Sequence, residues 1–155
     1  MLHPDVEQWI DENPREGFAF NNMPDSYPVK QLVINSILKG SIPQILLLEL
    51  NYFMNAYEHY RKVGVDCSEE LESSKGLRRP YDLKIVAWNL YRKNSEKVFR
   101  VDFTTPHGWS GYFDTNNPSV LSRLKQDTVV TIIGEIESVV TPYYVVLGGK
   151  IGVSK

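Results

Sequence analysis

The chain has 155 residues, 42% of them apolar and 23% charged, and 17 basic against 19 acidic side chains give a formal net charge of −2. That length and composition suit one medium domain, or a small one with an appendage, and exclude wholesale disorder. The charge excludes a strongly basic overall footprint, so any contact with nucleic acid must use a local patch.

Residues 1–27 form an N-terminal arm. Pro4 in the first turn predicts a short helix carrying Val6, Trp9 and Ile10, and "NPREGFAFNNMPDSYP" reads as irregular chain pinned by Phe18, Phe20 and Tyr27. The opening residues are acidic and lack the apolar core of a secretory signal. Residues 28–64 read as a helical hairpin. Pro28 opens the first helix and Gly40 ends it; Ser41 caps the second, with Pro43 in its first turn. On that second helix Ile45, Leu48, Tyr52 and Asn55 form one stripe and Leu46, Leu50, Phe53 and Tyr57 another. Two helices cannot bury so much apolar surface alone, so the hairpin packs either on the rest of the chain or on another molecule; the preferred reading is a partner interface or homodimer through Ile45, Leu46, Phe53 and Tyr57. The apolar run from Ile42 to Ala56 is too short for a membrane span. Residues 65–80, polar and poor in large apolar groups, read as a linker.

From Tyr81 the apolar period changes from 3.6 to 2, and residues 81–155 form the second half of the fold. "YDLKIVAWNLYRK" is a first strand with Leu83, Ile85 and Ala87 on one face and Lys84, Val86 and Trp88 on the other. "KVFRVDFT" places Phe99, Val101 and Phe103 inward and Arg100 and Asp102 outward, and "WSGYFDT" aligns Trp109, Gly111 and Phe113. "NNPSVLSRLK" supplies a short helix with Asn117 as cap and Pro118 as first residue. Two more strands follow, "DTVVTIIGEIESVV" and "YYVVLGGKIGV"; Gly134 in the former sits where a coiled strand bends or a neighbour comes close, and Gly111 in the third strand is a candidate for the same purpose. The expected class is therefore α+β: a helical hairpin, then a five-stranded Greek-key barrel of the OB type, its strands and helix in the order β-β-β-α-β-β.

The stretch "LSRLKQDTVVTIIGEIESVV…YYVVLGGKIGV" resembles the closing half of the OB-fold group similar to the anticodon-binding domain of aminoacyl-tRNA synthetases. The shared pattern is a leucine-bearing helix, a polar turn, a "V-T-I-x-G-x-I" strand, and a last strand with a small-residue kink. It covers about residues 81–153 and leaves the helical half unmatched. The resemblance implies an OB barrel that binds single-stranded nucleic acid or a protein, and carries over no active site.

Signals of chemistry are weak. The three histidines, His3, His59 and His107, are scattered, and one cysteine, Cys67, permits neither an internal disulfide nor a cysteine metal cluster. A single free thiol suits a reducing, cytoplasmic setting. Asp66, Glu69 and Glu70 beside Cys67 raise a thiol pKa, the wrong direction for a nucleophile. "HGWSG" lacks the spacing of a nucleophile elbow, and "LGGKIG" lacks that of a phosphate loop and reads as a bulged last strand. The expectation is a protein without catalysis, metal or cofactor. The strongest constellation is aromatic and basic: Trp88, Tyr91, Arg92, Lys93, Lys97, Arg100, Trp109, Tyr112, Tyr143 and Tyr144, with Arg78 and Arg79 extending it. Aromatic faces stack bases while lysine and arginine neutralise phosphates, so the expected ligand is single-stranded DNA or RNA. Asp102, Asp114, Glu135 and Glu137 oppose it on or near the same surface, which keeps an assembly adaptor with a protein partner as the alternative.

Overall fold

Proline opens four of the helices in the chain: α1 (Pro4–Glu12), α2 (Pro14–Asn21), α3 (Pro28–Leu38) and α6 (Pro118–Leu121). Its fixed φ and missing N–H cost nothing in a first turn. A computed structural model describes residues 2–25, 27–63, 66–93 and 95–154, with the side chains of Pro28, Tyr91, Arg92 and Lys93 outside that description. The chain divides into two compact units, Met1–Glu58 and His59–Lys155.

The first unit is helical. Residues 14–21, expected as irregular chain, are α2: Pro14 starts a new helix directly after Asn13, whose backbone N–H closes α1 on the carbonyls of Trp9 and Ile10. Glycine at position 17 lets the two helices touch, since a Cβ there would stand 2.7 Å from Ile10 Cγ2. The hairpin of α3 and α4 (Gln44–Val63) is as expected, with Gly40 at φ +87°. Ser41 is not the cap of α4; the amides of Leu46 and Leu47 donate to the Pro43 carbonyl. The stripe of Leu46, Leu50 and Phe53 is buried, and Tyr57 meets Phe18 edge-on with ring centroids 5.2 Å apart. Leu46 at 7% exposure and Phe53 at 0% are therefore not open to a second copy, which removes half of the expected dimer contact. Buried Tyr27 donates its hydroxyl to buried Glu49 at 3.2 Å, giving that carboxylate a partner.

The second unit is a closed five-stranded barrel, with strand order β1-β2-β3-β5-β4, from β1 (Arg78–Lys93), β2 (Glu96–Thr104), β3 (Ser110–Thr115), β4 (Val129–Thr141) and β5 (Tyr144–Val153). Every pairing is antiparallel except β3 with β5, which is parallel. This architecture is consistent with an OB-type fold. The order of three strands, a helix and two strands holds, but the fold has more helices ahead of the barrel than the expected hairpin. One is α5 (Ser68–Ser74), inside the stretch read as a linker. Its Leu71, and Cys67 just before it, are buried in the same core cluster as Leu83, Val101, Phe113 and Ile136. A single leucine in a polar segment suffices because Asp66 Oδ1 accepts from the Ser68 amide and hydroxyl, starting the helix. α6 closes the other gap. Asn117 accepts from the Ser119 amide, its Nδ2 donates to the Ile151 carbonyl, and Val120 and Leu124 enter the core.

Glycine allows the closure. The expected close approach at Gly111 is severe: a Cβ there would stand 2.1 Å from the Val145 carbonyl oxygen. Gly134 lies at a register shift between β4 and β5, against Ile151. Replacing Gly111 by alanine forces apart the parallel β3–β5 pair, with an expected loss of about 3 kcal/mol. Gly40→Ala, in open space but at positive φ, costs about 1–2 kcal/mol. Urea melts of the two variants check this ranking, and equal losses would contradict it.

Candidate nucleic-acid interface

β1 and β2 continue past the barrel. β1 pairs with β4 only from Arg78 to Lys84, and β2 pairs with β3 only from Phe99 to Thr104, whereas β1 and β2 stay paired as far as Lys93 and Glu96. Ile85 still exchanges backbone bonds with Thr128 and Asp127; from Val86 on, among the described residues, the two strands have only each other as ladder partners and form a two-stranded ribbon.

A β-bulge decides which side chains share a face of this ribbon. Ile85 pairs with Phe103, but Ala87 pairs with Asp102, leaving Val86 as the extra residue. One extra residue reverses the alternation. Trp88 then lies opposite core residue Val101, Leu90 opposite Phe99, and Arg92 opposite Lys97. The expected split, with Ala87 inward and Trp88 outward, is thus corrected beyond the bulge. A readable signal was present. The large apolar residues of "YDLKIVAWNLY" switch from odd positions, Leu83 and Ile85, to even ones, Trp88 and Leu90.

The face so assembled continues the barrel's inner surface outward. It holds the positions of Trp88, Leu90, Arg92, Lys97 and Phe99, and no carboxylate. Trp88 is 37% exposed and Leu90 52%; Lys97 is exposed and Phe99 half-buried. Leu90 and Phe99 were not among the expected site residues. Tyr91, Arg92 and Lys93 have described backbone in β1, but their side chains lie outside the described residues. From Trp88 to Lys97 the sequence has three basic residues and one acidic one. The barrel unit as a whole carries fourteen basic and eleven acidic residues, against three and eight in the helical unit.

The other expected residues are placed differently. Trp109 is buried in the core at 4% exposure, edge-on to Tyr81 and Phe103, so its ring offers no stacking surface. Tyr144 and Tyr112 are buried with ring centroids 6.3 Å apart. Tyr143 is buried too, stacked 4.7 Å from Tyr60. Alternation alone could not separate these rings from exposed ones. Arg100 is on the outer face, where its guanidinium lies 4.0 Å over the Tyr112 ring and grips both carboxylate oxygens of Asp114, at 3.1 and 3.4 Å. Its charge is thereby matched in place. Arg78 donates to the Lys150 carbonyl and Arg79 to Ser74 Oγ at 3.5 Å. Glu137 Oε1 accepts from the Gly149 amide at 3.1 Å, so a carboxylate occupies the "LGGKIG" bend where a phosphate would need to sit.

The turn between β2 and β3 is held from two sides. His59 bonds the Thr105 carbonyl at 3.0 Å, and the Cys67 thiol donates to the His107 carbonyl at 3.3 Å. Burial pushes the Cys67 thiol pKa up, and Glu70 and Asp66 push it the same way. Ser110 is buried whereas His107 is exposed. Among the described residues no group of three or more His, Cys, Asp or Glu is placed to hold a metal ion, and no helix is long and apolar enough to cross a membrane. No family model, curated protein or solved structure matches the chain.

The raised thiol gives a pH prediction. The folded Cys67 keeps its proton to higher pH than the unfolded one, so the folded state binds more protons above about pH 8.5. Its stabilising effect is full below that pH and is lost as pH rises through the folded pKa. Burial raises Tyr81 as well, which steepens the decline further up the scale. Urea midpoints should fall as pH rises above about 8.5, and less steeply in Cys67→Ser. A flat profile would contradict the assignment.

Proposed function

We propose that this chain is a non-catalytic protein that binds single-stranded nucleic acid through the inner face of the β1–β2 ribbon on an OB-type barrel. The observation that carries this reading is the Val86 bulge, which gathers Trp88, Lys97, Phe99 and the Arg92 position on one face without a carboxylate. In OB folds the ligand crosses strands two and three and the flanking loops. Here the outer part of that surface has its cation matched by Asp114 and its tyrosines buried, so the ligand is assigned to the ribbon instead. The exposed Trp88 indole stacks a base, and Lys97 meets the backbone.

The second reading is an assembly adaptor with a protein partner. Leu90, half exposed beside Trp88, favours it, because an aliphatic side chain serves an apolar partner better than a phosphate chain.

Titration of a fluorescein-labelled oligothymidylate of about 16 nucleotides at low and moderate salt separates the two. Trp88→Ala is expected to weaken binding roughly 5–150-fold, the loss of one stacked base. Lys97→Ala is expected to reduce the slope of log affinity against log salt by about 0.7. Absence of binding at low salt sinks the nucleic-acid reading and leaves the adaptor. Binding that ignores both substitutions sinks the ribbon as the site.

A further inference from the structure

The helical unit has a cleft of about 470 Å³ between α1 and the turn joining α3 to α4, walled entirely by residues of that unit. Its floor is apolar: Trp9 from α1, Ile37 and Leu38 from the end of α3, and Ile42 and Leu47 beyond the turn. Leu38 remains 45% exposed there although water is the worst environment for it. One rim is acidic. Asp5 and Glu12 line the cleft, and α1 carries two further acids, Glu7 and Asp11, and no base. No lysine or arginine is among the described lining residues.

These groups are not consumed by the fold. Asp5 has 64% of its side chain exposed, and its nearest cationic candidate is His3 Nδ1 at 3.9 Å. That nitrogen accepts from the Asp5 amide as the cap of α1. Glu12 accepts one bond from the neutral Gln8 amide at 2.9 Å, and among the described residues it forms no ion pair. The unit as a whole has five more acidic than basic residues.

We infer that this cleft is a docking site for a basic peptide segment of a protein partner, one large aliphatic side chain entering over Trp9 and Leu38 and flanking lysines or arginines meeting Asp5 and Glu12. Charge complementarity selects this occupant. The acidic rim repels nucleic acid and acidic peptides, and the apolar floor gives no reward to a peptide that is merely cationic. The site is separate from the ribbon and stands whether or not the ribbon binds nucleic acid.

The test uses the full chain and a fluorescein-labelled peptide of lysine pairs alternating with single leucines. Two controls replace its leucines by serine or its lysines by glutamate. The leucine–lysine peptide is expected to bind at low salt, and both controls at least tenfold more weakly. Asp5→Asn with Glu12→Gln is expected to weaken binding about tenfold, two surface charge contacts. Leu38→Asp, at an exposed position, is expected to abolish binding, while Trp88→Ala leaves it unchanged. Equal binding of the serine control overturns the inference, as does binding that survives Leu38→Asp. Should a variant fail to fold, the unaltered protein decides by NMR. Peptide-induced shifts at the Trp9 indole N–H support the site, and shifts confined to residues 59–155 overturn it. Concentration-dependent self-association that Leu38→Asp abolishes would assign the cleft to a second copy and overturn the partner assignment.

Discussion

The barrel depends on one close passage, the backbone of Gly111 against the carbonyl of Val145. β3 and β5 are the parallel pair that turns a curved sheet into a closed one, and they meet only over Ser110–Phe113 and Tyr144–Leu147. Four residues of ladder leave no room for a side chain between the strands. Around this junction Phe103, Phe113, Val145 and Leu147 pack as one core, and Trp109 is edge-on to Phe103. Once β3 is anchored, α6 has a fixed start at Asn117 and Val120 is carried into the core. The ribbon begins where β1 runs past its pairing with β4 and β2 lies outside its pairing with β3.

Two kinds of surface result from different treatment of charge. On the outer face of β2 and β3, Arg100 is held by Asp114 and by the Tyr112 ring, a local arrangement that fixes side chains and neutralises them. On the ribbon's inner face the positions of Trp88, Leu90, Arg92, Lys97 and Phe99 include no carboxylate, and Trp88 keeps more than a third of its surface in water. The first arrangement contributes to stability; the second leaves charge and aromatic surface available to a ligand. The helical unit carries the opposite imbalance, with its acids gathered on α1 over an apolar cleft.

Much of the barrel was legible in the sequence because its signals are local. Alternation marked the strands, Asn117 and Pro118 marked α6, and Gly111 and Gly134 marked places of bending or close approach, the second of which the structure shows at a shift in register. What escaped was set by tertiary packing. α5 is polar except for Leu71, and only the core it enters makes a helix of it worthwhile. α2 was hidden by a proline that opens a helix as readily as it ends one. In the site, a period of two identifies opposite faces but not which one water reaches, so Trp109, Tyr143 and Tyr144 were grouped with Trp88 although packing buries all three. The Val86 bulge then exchanged the faces of the ribbon, an effect that a strict alternating pattern does not contain.

The ribbon has a further consequence for the chain in a crowded cell. Among the described residues, β1 from Val86 to Lys93 has no ladder partner other than β2, and a strand paired on one side only is a template that another extended polypeptide can join. Arg92, Lys93 and Lys97 are concentrated at that tip. Such cations act as gatekeepers, since a second identical strand arriving there would bring like charge against like. On the proposed reading, Arg92 and Lys97 serve both solubility and ligand choice, and selection on one role constrains the other.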